Sequence, residues 1–298
     1  MKPTFVVLVI AASAVAAAGS LPAQSVDTTI AVRSGARFEL NGVSGSVRVQ
    51  SWNRAQIHVV AEADGARVDV EASSSGVSVR TQPRRGEGDV DFTITVPLNT
   101  PVEVHAISAD VDVSGVCGEA TVGSISGGVS LRCGNGESQV ESVSGDVQAT
   151  DVRGRLEITS TSGDVQVRGV HGDVSARSVS GDVTLERVDG QEVRAETVSG
   201  DIGFTGPVHD GGRYGFHSHS GDVTVQPDGD LSASVSVSTF SGDVESDWPM
   251  TINPGGGYVH PREWEFTIGS GAAKLILETF SGTIYLRRGS SARRGGDR

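Results

Sequence analysis

Six aspartates share one sequence setting, and their spacing is the chain's plainest offer of chemistry. Asp146, Asp164, Asp182, Asp201, Asp222 and Asp243 each follow a Ser-Gly pair and precede Val or Ile. At the ~5 Å spacing of neighbouring strands such carboxylates repel one another unless they face water or are neutralised. Two readings follow. Each Asp caps its own turn and faces solvent, or calcium, which takes several oxygen ligands, sits between turns. The Gly-Gly-x-Gly-x-Asp pattern of calcium-binding repeats is absent. Capping is therefore the expected role, with calcium as the only cofactor the residues suggest.

Other chemistry-bearing groups are sparser. His217-x-His219, with His209 and Asp210 nearby, has the residue types of a metal cluster. Yet His219 stands in a column otherwise held by Val198 and Phe240, which predicts a partly buried spacer beside a surface histidine. Cys117 and Cys133 are the only cysteines. A pair can bridge in an oxidising compartment, but two cysteines alone do not make a structural zinc site. The repeat places Cys133 opposite Gly115, so a bridge needs local bending and the pairing stays open. Trp248, Tyr258 and Trp264 fall in a stretch, 245–264, that breaks the repeat. This stretch is either a lateral loop packing its own aromatics or a contact for a glycan or protein partner, since exposed Trp and Tyr are good anchors. No catalytic set stands out. The acids are spread along the chain, Lys274 is the only lysine besides Lys2, and no Gly-x-Ser-x-Gly elbow occurs.

The elements that would position these groups follow from a tetrapeptide. Ser-Gly-Asp-Val, or its Ile variant, begins at Ser144, Ser162, Ser180, Ser199, Ser220 and Ser241, with looser copies at Ser44, Ser108, Ser126 and Ser281. From Ser108 the steps are 18, 18, 18, 18, 19, 21, 21 and 40 residues. The last step fits two turns with one motif lost, and the 64 residues before Ser108 fit three turns. A fixed period of this length is the mark of a solenoid. Alternation such as Val147-x-Ala149 has the period of a strand, and Gly supplies the sharp corner. A second corner follows about nine residues later, as in Val152-Arg153-Gly154 and Val170-His171-Gly172. Before each Ser runs an apolar column, Val143, Val179, Val198, Phe240 and Phe280. Before that runs a hydroxyl column, Ser142, Ser160, Ser178, Thr197, Ser218, Thr239 and Thr279. The predicted fold is an all-β, single-stranded parallel β-solenoid spanning 36–288, after a linker at 24–35 and before a disordered basic tail at 289–298. A sandwich of antiparallel hairpins is the alternative, but it does not require in-register chemistry at 18 residues.

Composition agrees. There are 40 Gly in 298 residues, aromatics are 5%, and the formal net charge is −13. Gly and Ser disfavour helix while Val favours strand, and a narrow lumen has little room for aromatics. An acidic chain lacks the basic footprint of a nucleic-acid binder. Lys2, the apolar stretch from Phe5 to Ala18 and the small residues up to Ala23 read as a signal peptide at 1–23. The chain is then exported, to the periplasm or the cell exterior, with no transmembrane segment in its mature part.

The Ser-Gly-Asp-Val repeats, the early Asn41-Gly42-Val43-Ser44-Gly45-Ser46-Val47 stretch and the closing Thr279-Phe280-Ser281-Gly282-Thr283-Ile284-Tyr285-Leu286 resemble bacterial β-strand-repeat domains of unknown function. Those families carry the label "putative adhesin" and are related to autotransporter-adhesin head domains. The resemblance covers roughly residues 36–288 and has no established catalytic residues to carry over. It implies an adhesin-like structural or binding module, not an enzyme, whose partner is an envelope component, glycan or protein. A carbohydrate-active β-helix enzyme and a self-assembling envelope scaffold are the alternatives. Open solenoid ends need caps, and Phe38 to Trp52 and Tyr285 to Arg288 are the candidates.

Overall fold

The structure is a computed structural model that describes residues 24–83, 88–132, 134–249 and 262–289. The predicted signal peptide and the last nine residues of the predicted tail lie outside them. The described residues form strands and no helix, so no helix is long and apolar enough to cross a membrane. The first strands are β1 (Gln24–Ala31), β2 (Arg37–Trp52), β3 (Gln56–Asp64), β4 (Ala66–Ala72), β5 (Gly76–Pro83), β6 (Asp89–Pro97) and β7 (Val102–Ser114). Two-strand turns follow: β8 (Ala120–Ser126) with β9 (Val129–Arg132), β10 (Ser138–Ser144) with β11 (Val147–Thr150), and β12 (Leu156–Ser162) with β13 (Val165–Arg168). Next come β14 (Val174–Ser180) with β15 (Val183–Glu186), β16 (Glu192–Ser199) with β17 (Ile202–Pro207), and β18 (Arg213–Ser220) with β19 (Val223–Asp228). The chain closes with β20 (Ala233–Ser241), β21 (Val244–Ser246), β22 (Arg262–Ile268), β23 (Ala273–Ser281) and β24 (Ile284–Leu286).

The protein is a β-solenoid, and its register is the sequence repeat made physical. Ser142 pairs in parallel with Ser124 on one side and Ser160 on the other, one period away each time. One face stacks β8, β10, β12, β14, β16 and β18, and the other stacks β9, β11, β13, β15, β17 and β19. A third edge carries single parallel bridges from Asn135 to Arg153, His171 and Asp189. Inward side chains form ladders, such as Val140, Ile158, Ala176, Ala195 and Phe216 on one face. Each buried Val or Leu contributes about 1.5–3 kcal/mol, but only because the next turn covers it. The lumen widens toward the C-terminus, where turns of 19 and 21 residues enclose Phe204, Tyr214 and Phe216. Phe204 lies 5.1 Å from Phe216 between ring centres, so the added chain length is taken up by rings.

The ends depart from the simple coil. Residues 24–35 are not a plain linker: β1 pairs antiparallel with β3 over its whole length. Nor does the 64-residue step hold three parallel turns. β3 runs antiparallel to β6, and β4 to β5, while β2 lies between β5 and β6 on one side and β7 on the other. At the other end β23 inserts between β18 and β20, so Ser281 sits between Ser220 and Ser241. The 40-residue step is therefore a return, and β22 covers the far side of β20 in antiparallel sense. Neither expected cap is terminal. Phe38 to Trp52 lies in β2, inside the stack, and β24 lies between β19 and β21.

Candidate functional site

The corner explains which side chains face out. In β10, Ser138, Val140 and Ser142 point inward, so Val143 points outward with Gln139 and Glu141. The hydroxyl column is therefore buried and the apolar column exposed. Space and hydrogen bonding select this arrangement. Gly163, at φ +133°, is pressed so close to the turn below that a Cβ would run into the carbonyl oxygen of Gly145. Small hydroxyls fit beneath such corners; Ser160, Ser178 and Thr239 do so without a partner among the described residues, whereas Ser142 Oγ donates to Gly145 O at 3.2 Å and Ser218 Oγ to Gly200 O at 3.0 Å. A Val would leave that carbonyl unpartnered.

The displaced apolar column becomes a row along the outside of the solenoid. Ile107, Ile125, Val143, Val179, Val198, Phe280 and Phe240 are each between 44% and 50% exposed. Thr161 and His219 occupy the same column on intervening turns. At its C-terminal end His219 stacks on Phe280 at 4.8 Å, and Phe280 on Phe240 at 4.6 Å with planes 4° apart. Phe280, held between two rings, shows only its edge to solvent. Toward the N-terminal end the row walls a groove of about 540 Å³ lined by Asn41, Thr81, His105, Ile107, Ile125 and Val143. The groove opens where Gly123 lacks a side chain; a Cβ there would come within 2.9 Å of His105 Nδ1.

Beside the row runs the aspartate ladder. Oδ1 of Asp146 accepts from the backbone N–H of Asp164 at 3.0 Å, and Oδ1 of Asp164 from Asp182 at 3.0 Å. Asp182 accepts from Asp201 and Asp201 from Asp222, both at 2.8 Å, and Asp222 from Thr283 at 2.7 Å. Asp146, Asp164, Asp182, Asp201 and Asp222 thus cap the following turn and not their own, which corrects the simplest reading of the motif. Oδ1 is spent in these caps, on residues of which Asp146, Asp164, Asp182 and Asp201 are exposed. No His, Cys, Asp or Glu group of three or more is placed to hold a metal among the described residues.

Residues 62–287 match the family model described as Toastrack DUF4097. The chain belongs to this family. Solved structures that resemble the Toastrack domain include a "putative adhesin" from Bacteroides fragilis, at 13% identity and TM-score 0.39, covering 89% of this chain and 97% of that one. Another is a "putative cell adhesion protein" from Clostridium sporogenes, at 10% identity and TM-score 0.25, covering 90% and 100%. A "putative adhesin" from Parabacteroides merdae stands at 11% and 0.26, covering 89% and 96%. Likeness at this level adds nothing to the fold, which rests on the strand register above. No curated protein matches the chain.

The other sequence candidates are scattered over the Toastrack domain. Trp264, in β22 opposite Val237, and Trp248, after β21, are half-buried against the core, and the Arg288 guanidinium lies 5.4 Å from the Trp248 ring centre. The segment 245–264 is thus in part structural, since it supplies the end of β21 and the start of the covering strand β22. Tyr258 lies outside the described residues. So does Cys133, the second half of the suggested disulfide; Cys117 is half-buried with Sγ 3.8 Å from Gly115 O. His217 contacts Glu278 at 3.1 Å while His219 joins the ring stack, so the two histidines do not converge. One cluster escaped the motif reading. On the third edge His209 Nε2 lies 2.6 Å from Asp189 Oδ1, and His171 Nδ1 lies 3.4 Å from Oδ2. The hydrogen bond to His209, with a lesser one to His171, holds the Asp189 carboxyl below its usual range despite some desolvation. Tyr214 donates to Gly190 O at 2.8 Å and accepts from His209 N at 2.9 Å, and burial pushes its hydroxyl above the usual tyrosine value.

The exposed row was visible only as a column. The signal that would have assigned it is parity: Val143 is an odd number of residues from Val140, so the two cannot face the same way in one strand.

Proposed function

We propose that this chain is an exported, non-catalytic, adhesin-like module that binds a cell-envelope component along its exposed apolar row. The row carries the reading. Its seven half-exposed Ile, Val and Phe side chains present on the order of 600 Å² of surface, at the top of what monomeric proteins expose without a partner. Burying those side chains would make every turn more stable, yet the corner geometry keeps them outside, and a binding face gives them a use. The carboxylates support the absence of catalysis, because they are spread one per turn and committed to backbone caps instead of meeting in a cleft. Export rests on Lys2 and the apolar stretch Phe5 to Ala18.

The test is retention of the exported chain on envelope fractions from the same organism. The triple variant Val143→Ser/Val179→Ser/Val198→Ser should keep the wild-type circular dichroism spectrum and lose retention at least tenfold. Undiminished retention of that variant would overturn the row as the binding face.

A further inference from the structure

We infer that the occupant of the row is an extended, cationic polypeptide segment that alternates apolar side chains with lysine or arginine. The inference rests on the reading of the row as the binding face, and what it adds is the chemistry of the partner.

Charge next to the row decides between occupants. On one flank lies the Asp column, where no basic residue interrupts Asp146, Asp164, Asp182 and Asp201, all of them exposed. On the other flank the outward column reads His105, Gly123, Glu141, Thr159, Arg177, Glu196, His217 and Glu278. Arg177 is already shared between Glu157 and Glu196, at 3.6 and 3.4 Å. Both borders of the apolar strip are therefore net negative. A second copy of the chain would bring its own carboxylates against one of these borders, and an anionic membrane would be repelled along the whole strip. A saccharide finds no open ring face on Phe280, which is covered on both sides. An apolar strip between two acidic borders is complementary to a strand with apolar side chains on one face and cationic ones at its margins.

Length agrees with an extended chain. Turns recur about every 4.8 Å along the row, and same-face side chains of an extended peptide about every 6.7 Å. The row's nine turns, with Thr161 and His219 among them, then match about six same-face side chains, so contacts do not register one to one. The row would select for apolar-basic alternation and length more than for a particular sequence.

The probes are fluorescent peptides alternating valine with lysine, serine with lysine, and valine with glutamate, read by anisotropy against the mature chain. The valine–lysine peptide should bind at least tenfold more tightly than either control. The triple Val→Ser variant should weaken it at least tenfold. Asp146→Asn/Asp164→Asn/Asp182→Asn keeps an oxygen to accept each capping N–H, and it should weaken binding several-fold and flatten the salt dependence. Equal binding of the serine–lysine peptide, or binding unchanged in both variants, overturns the inference. So does a wild-type dimer that the Val→Ser variant dissolves, or uptake by zwitterionic vesicles that the same variant abolishes. If the peptides fail while envelope retention still depends on the row, the partner class falls and the binding face stands. If retention is also indifferent to the row, both fall.

Discussion

At the residue scale, each motif position has one physical task, and the tasks interlock between turns. Gly permits the close approach, the small hydroxyl fits beneath it and on several turns donates to a Gly carbonyl, and Asp holds the next turn's amide. Away from this corner, Asp189 answers two histidines on the third edge. Its pH dependence follows from the direction of its shift. Folding holds the Asp189 carboxyl below its ordinary value, so the ionised form is favoured in the native state. The resulting stability is present above the ordinary carboxylate range and disappears as pH falls through the lowered value. Thermal melts of wild type and Asp189→Asn should therefore differ at neutral pH and converge under strongly acidic conditions. A difference that grows on acidification would contradict the cause assigned here.

At the element scale, the C-terminal strands do more than extend the coil. β23 is the partner that joins β20 to β18, so β20 and β21 depend on a strand later in sequence. A chain ending after Ser246 lacks β22, β23 and β24, and it leaves β20 without either neighbour. Hydrogen exchange on that truncated chain should show β20 amides losing protection while those of β10 to β14 keep theirs, since stacked turns stabilise mainly their neighbours. Retained protection in β20 would mean that it pairs with β18 directly. The antiparallel strands β1 and β4 end the stack on one side and β22 covers β20 on the other, which limits strand-by-strand growth into filaments along those edges.

At the scale of the whole molecule, the Asp ladder, the apolar row and the lumen are three parallel lines produced by one repeat. The ladder also sets an expectation for calcium. That ion takes six to eight oxygens, whereas Asp146, Asp164, Asp182, Asp201 and Asp222 have already given Oδ1 to a backbone amide along the stack. Millimolar calcium should therefore leave the melting temperature of the mature chain unchanged. A rise of several degrees would show that the carboxylates release their caps for the metal.

Much of this was legible in the residues, and what was not has a common cause. The 18-residue period determined the solenoid and its register, because in a coil each residue lies beside its own copy, and Ser142, Ser160 and Ser178 align as their numbers require. Strand character came from the alternation of Val with polar residues, and the corners from Gly. Parity sets Val143 opposite in facing to Val140, but tertiary structure decided that Val143 and its equivalents are the ones facing outward, because that choice depends on the small room beneath a corner pressed against the next turn. It alone decided the order β18, β23, β20 and the antiparallel strands around β2 and β6. Closing a longer loop costs only slightly more than a short one, so strand pairing at the ends follows from which edge is left to cover, a property of the assembled stack and of no single segment.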